Sequence, residues 1–482
     1  MQTKYKTLAK NTIWLVLGGS ATKLVTVFML PFYTHWLSVA DFGTTDMITV
    51  YATLLTSVAT LCIAEAMFIF PKNTDIIKQK KYYSSGLFFT LCILGILALI
   101  FHGVKVFVIY RSIDNIFISY CWYIYGLIFT QFLQLITQQF VLALGAIRVY
   151  SFTSFVYVIS LAIYSFIFIS KYKVDGYVIS MIAANITATL YAFICSKLFK
   201  YIEITKISWK TYRELTKYSI PLIPNSIMWW LVASFNRPMI ETSLGLEAVG
   251  LFAIASRFPS VVTMVFQFFS QSWTISVFEE YNKSEFNIFF NKIMKSSVLI
   301  LSIVASLLSI TSRELLQLIT TPNYYSSFKY IPLLALGAIF NAIAAMIGSI
   351  FGVNKESKYF FYSSIYGAIT SIVLNYFLIP LIGIWGATLS FALSFMAIMI
   401  SRVIYSKKYI SFDSLHFYLL MLFMYLLLSI EVVFIDNLLF NMSIYFLLLI
   451  ILLSLNKQNR IIGVNFCNVI KMILWNKIIK KF

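Results

Sequence analysis

Long apolar runs alternate with short polar breaks along almost the whole chain. Each run is about 20 residues long, the length that an α-helix needs to cross the hydrocarbon core of a bilayer. The pattern predicts an all-α integral membrane protein with about fourteen transmembrane helices, joined by short loops. The predicted spans are 12–33, 44–70, 82–108, 116–142, 152–170, 177–199, 218–240, 248–275, 293–311, 330–352, 359–380, 384–404, 413–434 and 436–456.

Composition and charge agree with a membrane protein. The chain is 60% hydrophobic and 11% charged, and its mean hydropathy is +0.86. A net charge of +19 is compatible with nucleic-acid binding or with the topology of a membrane protein. The positions of the charged residues distinguish the two. With the N-terminus in the cytoplasm, most of the 37 lysines and arginines lie in cytoplasmic loops and in the C-terminal tail. This distribution argues against a nucleic-acid partner and predicts that both termini are cytoplasmic.

The two halves of the chain repeat each other. LSVADFG (37–43) matches LGLEAVG (244–250), an offset of 207 positions, the difference between 250 and 43. At the same offset LAKNTI (8–13) matches LTKYSI (215–220). Two turns and two later glycines also pair at this offset: Gly145 with Gly352, and Gly176 with Gly383.

This offset covers about six spans, so both copies enter the membrane in the same direction. We expect two parallel six-helix lobes, at 1–200 and 201–405, with a substrate site between them. Two additional helices at 406–456 have no counterpart in the repeat. The basic tail, 457–482, is expected to lie on anionic membrane lipid.

After the cations assigned to the two membrane surfaces are set aside, three remain inside predicted spans, where an ionisable side chain normally faces a cavity or the interior of the bundle. Lys23 and Arg257 are near mid-membrane, whereas Arg237 is close to the outer end of its span. For Arg237, a side chain that reaches the interface is an equal alternative. The polar residues predicted to share helix faces with these cations are Gln267 and Gln271 in the eighth span and Asn225 and Asn236 in the seventh. Polar contacts between helices are the competing explanation.

Acidic residues and cofactor motifs are scarce. Asp46 and Glu65 are the candidates for a counter-charge or a coupling site. The five cysteines and three histidines are scattered, so we expect no metal site, and no nucleotide-binding or hydrolase motif occurs in a usable context. The sequence therefore predicts a protein that is not an enzyme and holds no cofactor.

A family resemblance is carried by SIPLIPNSIMWWLVASFNRPMIETSLGLEAVGLFAIASRF (219–258) with FQFFSQSW (266–273), and by AKNTIWLVLGGSATKLVTVFMLPFYTHWLSVADFGTTDMI (9–48). The chain resembles the Wzx-type polysaccharide flippases of the multidrug/oligosaccharidyl-lipid/polysaccharide (MOP) superfamily. The resemblance implies transport of undecaprenyl-pyrophosphate-linked oligosaccharide, an O-antigen or capsule unit, across the bacterial inner membrane. It also implies the polymerase and chain-length proteins of the same pathway as partners.

The resemblance bears on the roles of the cations. Members of this family often have an acid before the arginine where this chain has Asn236-Arg237, so we expect Arg237 to lack its ion-pair neighbour. Arg257, Lys23 and Arg237 would then form a cationic cleft for the pyrophosphate, since the arginine fork grips phosphate oxygens in pairs.

Three alternatives remain. One is a cation-coupled drug antiporter of the same superfamily, which a deep carboxylate would favour. The second is a membrane-embedded polysaccharide polymerase, which would need a sizeable outer loop. The third is a structural membrane scaffold, which would leave the cations in the spans without a role.

Overall fold

The computed structural model describes residues 25–110, 116–413, 415–435 and 437–454. Lys23, the repeat motif LAKNTI (8–13) and the basic tail lie outside the described residues. Within these ranges all regular structure is α-helix or short 3₁₀ turn, so the predicted all-α class is confirmed.

The second helix of the described chain has a capped N-terminus, and a sharp bend separates it from the third. α1 is Leu30–Trp36 and α2 is Val39–Ala59. Ser38 caps α2, because its hydroxyl accepts from Asp41 N while the Asp41 carboxylate accepts from Ser38 N. α3, Ile63–Ile69, leaves α2 at 59° after two residues with positive φ.

Four further helices complete the first half of the described chain. They are α4 (Ile76–Tyr110), α5 (Ile116–Ser119), α6 (Cys121–Ala143) and α7 (Ile147–Cys195). α7 is 49 residues long and contains a break at Lys173, where φ is 47°. The predicted fifth and sixth spans are the two segments on either side of this break.

A linker with two 3₁₀ turns follows and leads into α8, Trp209–Ser219. The predicted seventh span is divided into α9, Ile223–Ala233, and α10, Asn236–Leu244. Pro221 and Pro224 lie at helix starts, where their missing N–H groups have no intrahelical partner to lose. The second break, at 234–235, has no proline.

The eighth predicted span is also two helices. α11, Leu246–Ala255, ends three residues before Phe258, and α12 is Pro259–Glu280. The rest of the second half is α13 (Phe286–Ile310), α14 (Ser312–Ile319), α15 (Ile331–Val353), α16 (Lys358–Ile382) and α17 (Ile384–Ser406). The additional helices are α18, Leu415–Phe434, and α19, Leu438–Ser454.

The described residues contain nine helices that are long and apolar enough to cross a membrane, or ten if the bent pair α2 and α3 is one span. The break in the seventh span leaves two helices that are each too short to be counted. The fifth and sixth spans are counted as one helix, α7. The total of fourteen remains a prediction, because much of the first predicted span and the end of the last lie outside the described residues.

The two halves meet at a close crossing of α2 and α11. A Cβ added to Gly43 would collide with the carbonyl oxygen of Leu246, and one added to Gly250 would collide with that of Val39. Both glycines and both carbonyls are related by the offset of 207, the difference between 250 and 43 and between 246 and 39. The crossing is therefore symmetric with respect to the repeat.

Later in the repeat the structural register differs from the sequence match. Gly145, with φ 77°, precedes a turn in which Ala146 N donates to Val141 O at 3.2 Å. Its geometric counterpart is Lys355, with φ 55°, where Glu356 N donates to the carbonyl five residues earlier at 2.9 Å. The offset is 210, the difference between 355 and 145. The pairing of the first turn with Gly352 was wrong by three residues.

The same correction applies to the last pair. A Cβ on Gly176 would collide with the carbonyl oxygen of Phe168, eight residues earlier, and Gly386 has the same relationship to Leu378. Gly383, the predicted counterpart, instead has φ 63° and corresponds to the break at Lys173. The second half therefore carries three extra residues between 250 and 352.

Candidate functional site

An ion triad joins the two halves of the chain. The Asp46 carboxylate on α2 accepts a hydrogen bond from Arg237 Nε, with an Nε–Oδ2 distance of 2.7 Å. Its other oxygen lies 3.5 Å from Nη2 of Arg257. The exposed fractions of the side chains are 9% for Asp46, 12% for Arg237 and 31% for Arg257. One acid from the first half thus contacts two arginines from the second.

The break between α9 and α10 positions Arg237. Ala233 is the last residue of α9, so its carbonyl has no intrahelical partner and lies at the negative end of the helix dipole. Nη1 of Arg237 donates to this carbonyl at 2.9 Å and to Asn236 Oδ1 at 3.1 Å. Nη2 donates to Ser256 Oγ at 3.2 Å. The guanidinium also lies 5.1 Å from the centre of the Phe252 ring.

Arg237 lacks the adjacent acid that the family often has, but it does not lack an ion-pair partner. The partner is Asp46, one of the two residues predicted as a counter-charge, which lies 191 positions earlier in the chain. With every guanidinium nitrogen engaged, Arg237 acts as a connector between the halves in this conformation and has little capacity left for a ligand.

Arg257 has more capacity. It follows α11 and lies just before Pro259, the first residue of α12. Its guanidinium is 5.9 Å from the centre of the Phe42 ring. Asp46 is the hydrogen-bonding or ionic side-chain partner found for it among the described residues. Of the two arginines in the triad, Arg257 is therefore the more exposed and the less saturated.

The predicted polar stripe of the eighth span runs across a helix break. The chain breaks between α11 and α12, so Arg257 precedes the helix that carries Gln267 and Gln271. Gln267 is exposed on α12. The side chain of Gln271 lies outside the described residues. Helical periodicity assumes one uninterrupted helix, so a shared face across this break stays a prediction.

The other predicted site residues do not join the triad as ligands. Asn225 Oδ1 accepts from Ser364 Oγ at 3.4 Å within the second half. Asn236 is buried and contacts Arg237 through Oδ1. Glu65 is exposed in the first turn of α3, at the far end of the bent α2–α3 pair from Asp46. These positions are typical of interhelical polar contacts.

Two further contacts join the halves beside the triad, and the sequence interpretation missed both. Trp230 Nε1 donates to the Val50 carbonyl at 3.1 Å. Tyr51 donates its hydroxyl to Glu241 Oε2 at 3.4 Å. A sequence signal for Glu241 was available, because it lies four residues after Arg237 and therefore one turn along the same face of α10.

A buried arginine in the second half was also missed. Arg402, two residues from the end of the predicted span 384–404, counts with the cytoplasmic cations in the sequence-based topology, but it lies on α17 and is 3% exposed. It donates to the Ala344 carbonyl at 2.8 Å and to Ser363 Oγ at 3.1 Å. Its guanidinium is 5.1 Å from the centre of the Phe360 ring. All these partners belong to the second half, so Arg402 stabilises that lobe internally.

A cavity with a volume of about 460 Å³ lies away from the triad, among α13, α15, α17 and α18. Its lining is almost entirely aliphatic, methionine or aromatic, with Lys407 at one end. Among the described residues no three His, Cys, Asp or Glu side chains are grouped to hold a metal ion.

The spans and the contacts between the two halves of the repeat are those of a multi-pass, all-helical membrane protein. The model of the polysaccharide biosynthesis protein family, Polysacc_synt, matches residues 8–282, which is more than half of the chain. The chain belongs to this family, and the predicted relationship to the MOP superfamily is confirmed. No curated protein matches it.

Solved structures share the fold. The lipid II flippase MurJ in an inward closed conformation superposes with a TM-score of 0.66 at 16% identity, covering 93% of this chain and 100% of that one. An inward-facing MATE multidrug resistance transporter of the MOP superfamily gives 0.62 at 11% identity, covering 82% and 94%. A MOP superfamily transporter from Pyrococcus furiosus gives 0.55 at 13% identity, covering 83% and 94%.

Proposed function

We propose that this protein is a flippase for undecaprenyl-pyrophosphate-linked oligosaccharide in the bacterial inner membrane. The polysaccharide biosynthesis family and the shared fold with a lipid II flippase support the class of cargo. The observation that carries the proposal is the Asp46–Arg237–Arg257 triad, which joins the two lobes and leaves Arg257 partly exposed. The proposed lobes are 1–200 and 201–405, followed by the helix pair 406–456 and a cytoplasmic tail.

The triad provides a way to couple the cargo to lobe movement. Asp46 contacts Arg257 at 3.5 Å, longer than an ideal charge-assisted hydrogen bond of about 2.8 Å. A pyrophosphate that reaches Arg257 competes with Asp46 for the same guanidinium. Two unit charges about 4 Å apart interact by about 4 kcal/mol at an effective dielectric constant of about 20. This is comparable to the free-energy difference that separates alternating conformations.

Loss of the Arg257 contact would leave Asp46 paired with Arg237 alone and would weaken the junction between α2 and the second half. The lobes would then separate at the predicted outer end, and the head group would leave on that side. Arg237 keeps its contacts to Ala233 and Ser256, which belong to the second half. It therefore stays in place, and Asp46 pairs with Arg257 again when the cargo has left.

The triad carries two positive charges and one negative charge, which suits an anion better than a cationic drug. This favours the flippase over the antiporter, whose solved examples share only the fold. A polymerase has weaker support, because it would need a sizeable outer loop. The segment that joins α13 to α15 and includes α14 instead packs on the first half, through contacts such as the one from the Tyr324 hydroxyl to Leu37 O at 3.1 Å.

Complementation tests the proposal. A bacterial host that lacks its own flippase receives wild type, Arg257→Ala or, as the matched control, Lys283→Ala, which removes an exposed cation paired with Glu280. Wild type and the control should restore surface polysaccharide. Arg257→Ala should lower it by about tenfold or more, since a charge-assisted contact is worth at least about 1.5 kcal/mol.

The two parts of the proposal have separate outcomes. Failure of wild type to restore surface glycan in hosts with different repeat units would overturn the flippase assignment. Full activity of Arg257→Ala at matched protein level would leave the flippase standing and reject the triad as the head-group site.

A further inference from the structure

The connection between the two halves forms an exposed surface of unusual composition. We call residues 197–217 the linker patch. Its cations are Lys197, Lys200, Lys206, Lys210, Arg213 and Lys217, against two acids, Glu203 and Glu214. Large apolar side chains on the same segment are exposed as well: Phe199 at 56%, Ile202 at 41%, Ile204 at 81% and Trp209 at 62%.

The linker patch is held in place from behind. Leu198, Tyr212 and Leu215 are buried on the side that faces the helices. α8 packs on α4, so its apolar face is used for the fold and its basic face is left outward. The segment is therefore well packed on its inner side, and its exposed apolar side chains do not result from loose packing.

Three side chains near the start of α4 fix the backbone of the linker. Ser84 Oγ accepts from Glu203 N at 2.9 Å and donates to the Tyr201 carbonyl at 3.0 Å. Ser85 Oγ accepts from Ser208 N at 3.0 Å. Lys80 Nζ forms an ion pair with Glu203 Oε2 at 3.0 Å.

These contacts also change the charge that the patch presents. The Lys80 ammonium lowers the pKa of the Glu203 carboxyl by donating to it, so Glu203 stays ionised and paired. Glu214 accepts from the Tyr82 hydroxyl at 3.4 Å. With both acids engaged on the protein side, the cations dominate the outward surface.

Trp209 indicates the level of the patch relative to the membrane. Its ring packs edge-on against Phe89 of α4, with ring centres 5.1 Å apart. Phe89 lies where the lysine-rich start of α4 gives way to its apolar run. Tryptophan concentrates at this boundary in membrane proteins, because its ring is apolar and its N–H is polar.

We infer that the linker patch is an interfacial anchor that binds the anionic lipid head groups of the cytoplasmic leaflet. The exposed apolar side chains insert among the head groups, and the lysines and the arginine contact the phosphates. Each basic residue near an anionic surface contributes to binding, and the effect is screened by salt. The fixed backbone means that little ordering entropy opposes this binding.

The anchor has a consequence for movement. Because Ser84, Ser85 and Lys80 attach the linker to α4, the patch is fixed to the first half, although its residues from 201 onward lie within the sequence bounds of the proposed second lobe. Anionic lipid would hold the first lobe at a defined depth while the second lobe moves relative to it.

Hydrogen exchange of the intact protein in lipid nanodiscs tests the inference. Amide exchange of residues 199–207 is compared in zwitterionic discs and in discs with about one-third phosphatidylglycerol. We expect exchange at least about threefold slower in the anionic discs, with the difference decreasing at high salt. The loop 354–358 is the control, because it is basic and on the same side but has no comparable apolar surface.

The control loop separates binding from a local change in pH near a charged surface, which would slow both segments alike. A variant with Lys197→Gln, Lys200→Gln, Lys206→Gln and Lys210→Gln should lose the difference, and exposed Ile204→Asp should reduce it. Equal exchange of 199–207 in the two lipids would overturn the inference. Slowing that appears only when a soluble cytoplasmic extract is added would overturn it in favour of a protein partner.

Discussion

Gly43 and Gly250 hold equivalent places in the two halves, and each lies against a backbone carbonyl of the helix that carries the other. Small residues at such crossings allow two helices to approach closely in a membrane. The Asp46–Arg237 ion pair lies one turn deeper along α2. The glycine crossing and the ion triad therefore form one junction, and the geometry of the first determines whether the second can close.

Gly250→Ala tests the crossing. The added methyl group collides with the Val39 carbonyl, a backbone atom that has little room to move, so the junction must open. We expect a loss of about 1–3 kcal/mol, seen as a lower melting temperature of the purified protein. Gly95→Ala is the matched control, because nothing lies within 4 Å of its added Cβ. It should leave stability unchanged or slightly higher, since alanine favours helix. Equal melting temperatures for the two variants would contradict the crossing.

A double-mutant cycle tests the ion pair. Asp46→Asn and Arg237→Gln should each destabilise the protein by about 3–5 kcal/mol, because the first leaves Arg237 without an acid and the second leaves Asp46 with only its longer contact to Arg257. The double variant should lose much less than the sum of the two. Thermal unfolding of all four proteins under one condition gives the coupling.

The exposed pair Glu280 and Lys283 provides the comparison for this cycle. Its coupling should be about 0–1 kcal/mol, as for other surface pairs. Additive losses for Asp46 and Arg237 would mean that the two side chains do not depend on each other.

The fold class followed from the sequence because a membrane restricts the options. Runs of about 20 apolar residues in a bilayer must form helices, so span positions could be predicted for most of the chain. The breaks at 234–235 and before Pro259 could not, because a broken helix inside a packed bundle keeps the same apolar composition. Both breaks lie beside the triad, and both change which side chains share a face.

The site was partly predictable for a related reason. The cost of placing an ionisable side chain within a membrane span identified Asp46, Arg237 and Arg257 as residues of interest. Which acid meets which arginine depends on the packing of α2 against α9, α10 and α11, and no local pattern encodes that contact. Arg402 was missed because a cation four residues from a helix end resembles a loop residue in sequence.

Arg402→Lys tests whether the buried guanidinium is required for its shape. Arg402 donates in two directions, to Ala344 O and Ser363 Oγ, and lies over the Phe360 ring. A lysine keeps the charge but loses the fork, so we expect a lower melting temperature, by the equivalent of about 2 kcal/mol. Arg148→Lys, at an exposed position, is the control and should melt like wild type. A normal melting temperature for Arg402→Lys would show that charge alone is sufficient.

Glu356, in the loop between α15 and α16, should make the stability of the protein depend on pH. Glu356 accepts from the Tyr409 hydroxyl and from Lys408 Nζ, the latter at 2.9 Å, and so joins this loop to the chain beyond α17. These donors, with Lys358 nearby, lower the pKa of the Glu356 carboxyl to about 2. A carboxyl whose pKa is lowered by folding stabilises the protein above the unfolded pKa of about 4.3. That contribution is lost as the pH falls through about 2.

Glu356→Gln removes the ionised acceptor, so wild type should melt higher than the variant at neutral pH. The difference should begin to shrink below about pH 4, where unfolded glutamates become protonated, and it should be smallest near pH 2. Glu285→Gln, at an exposed position, controls for the loss of one negative charge. Melting curves of the three proteins across this range decide the matter. A difference that persists unchanged down to pH 2 would mean that Glu356 acts through its shape and its hydrogen bonds, and not through its charge.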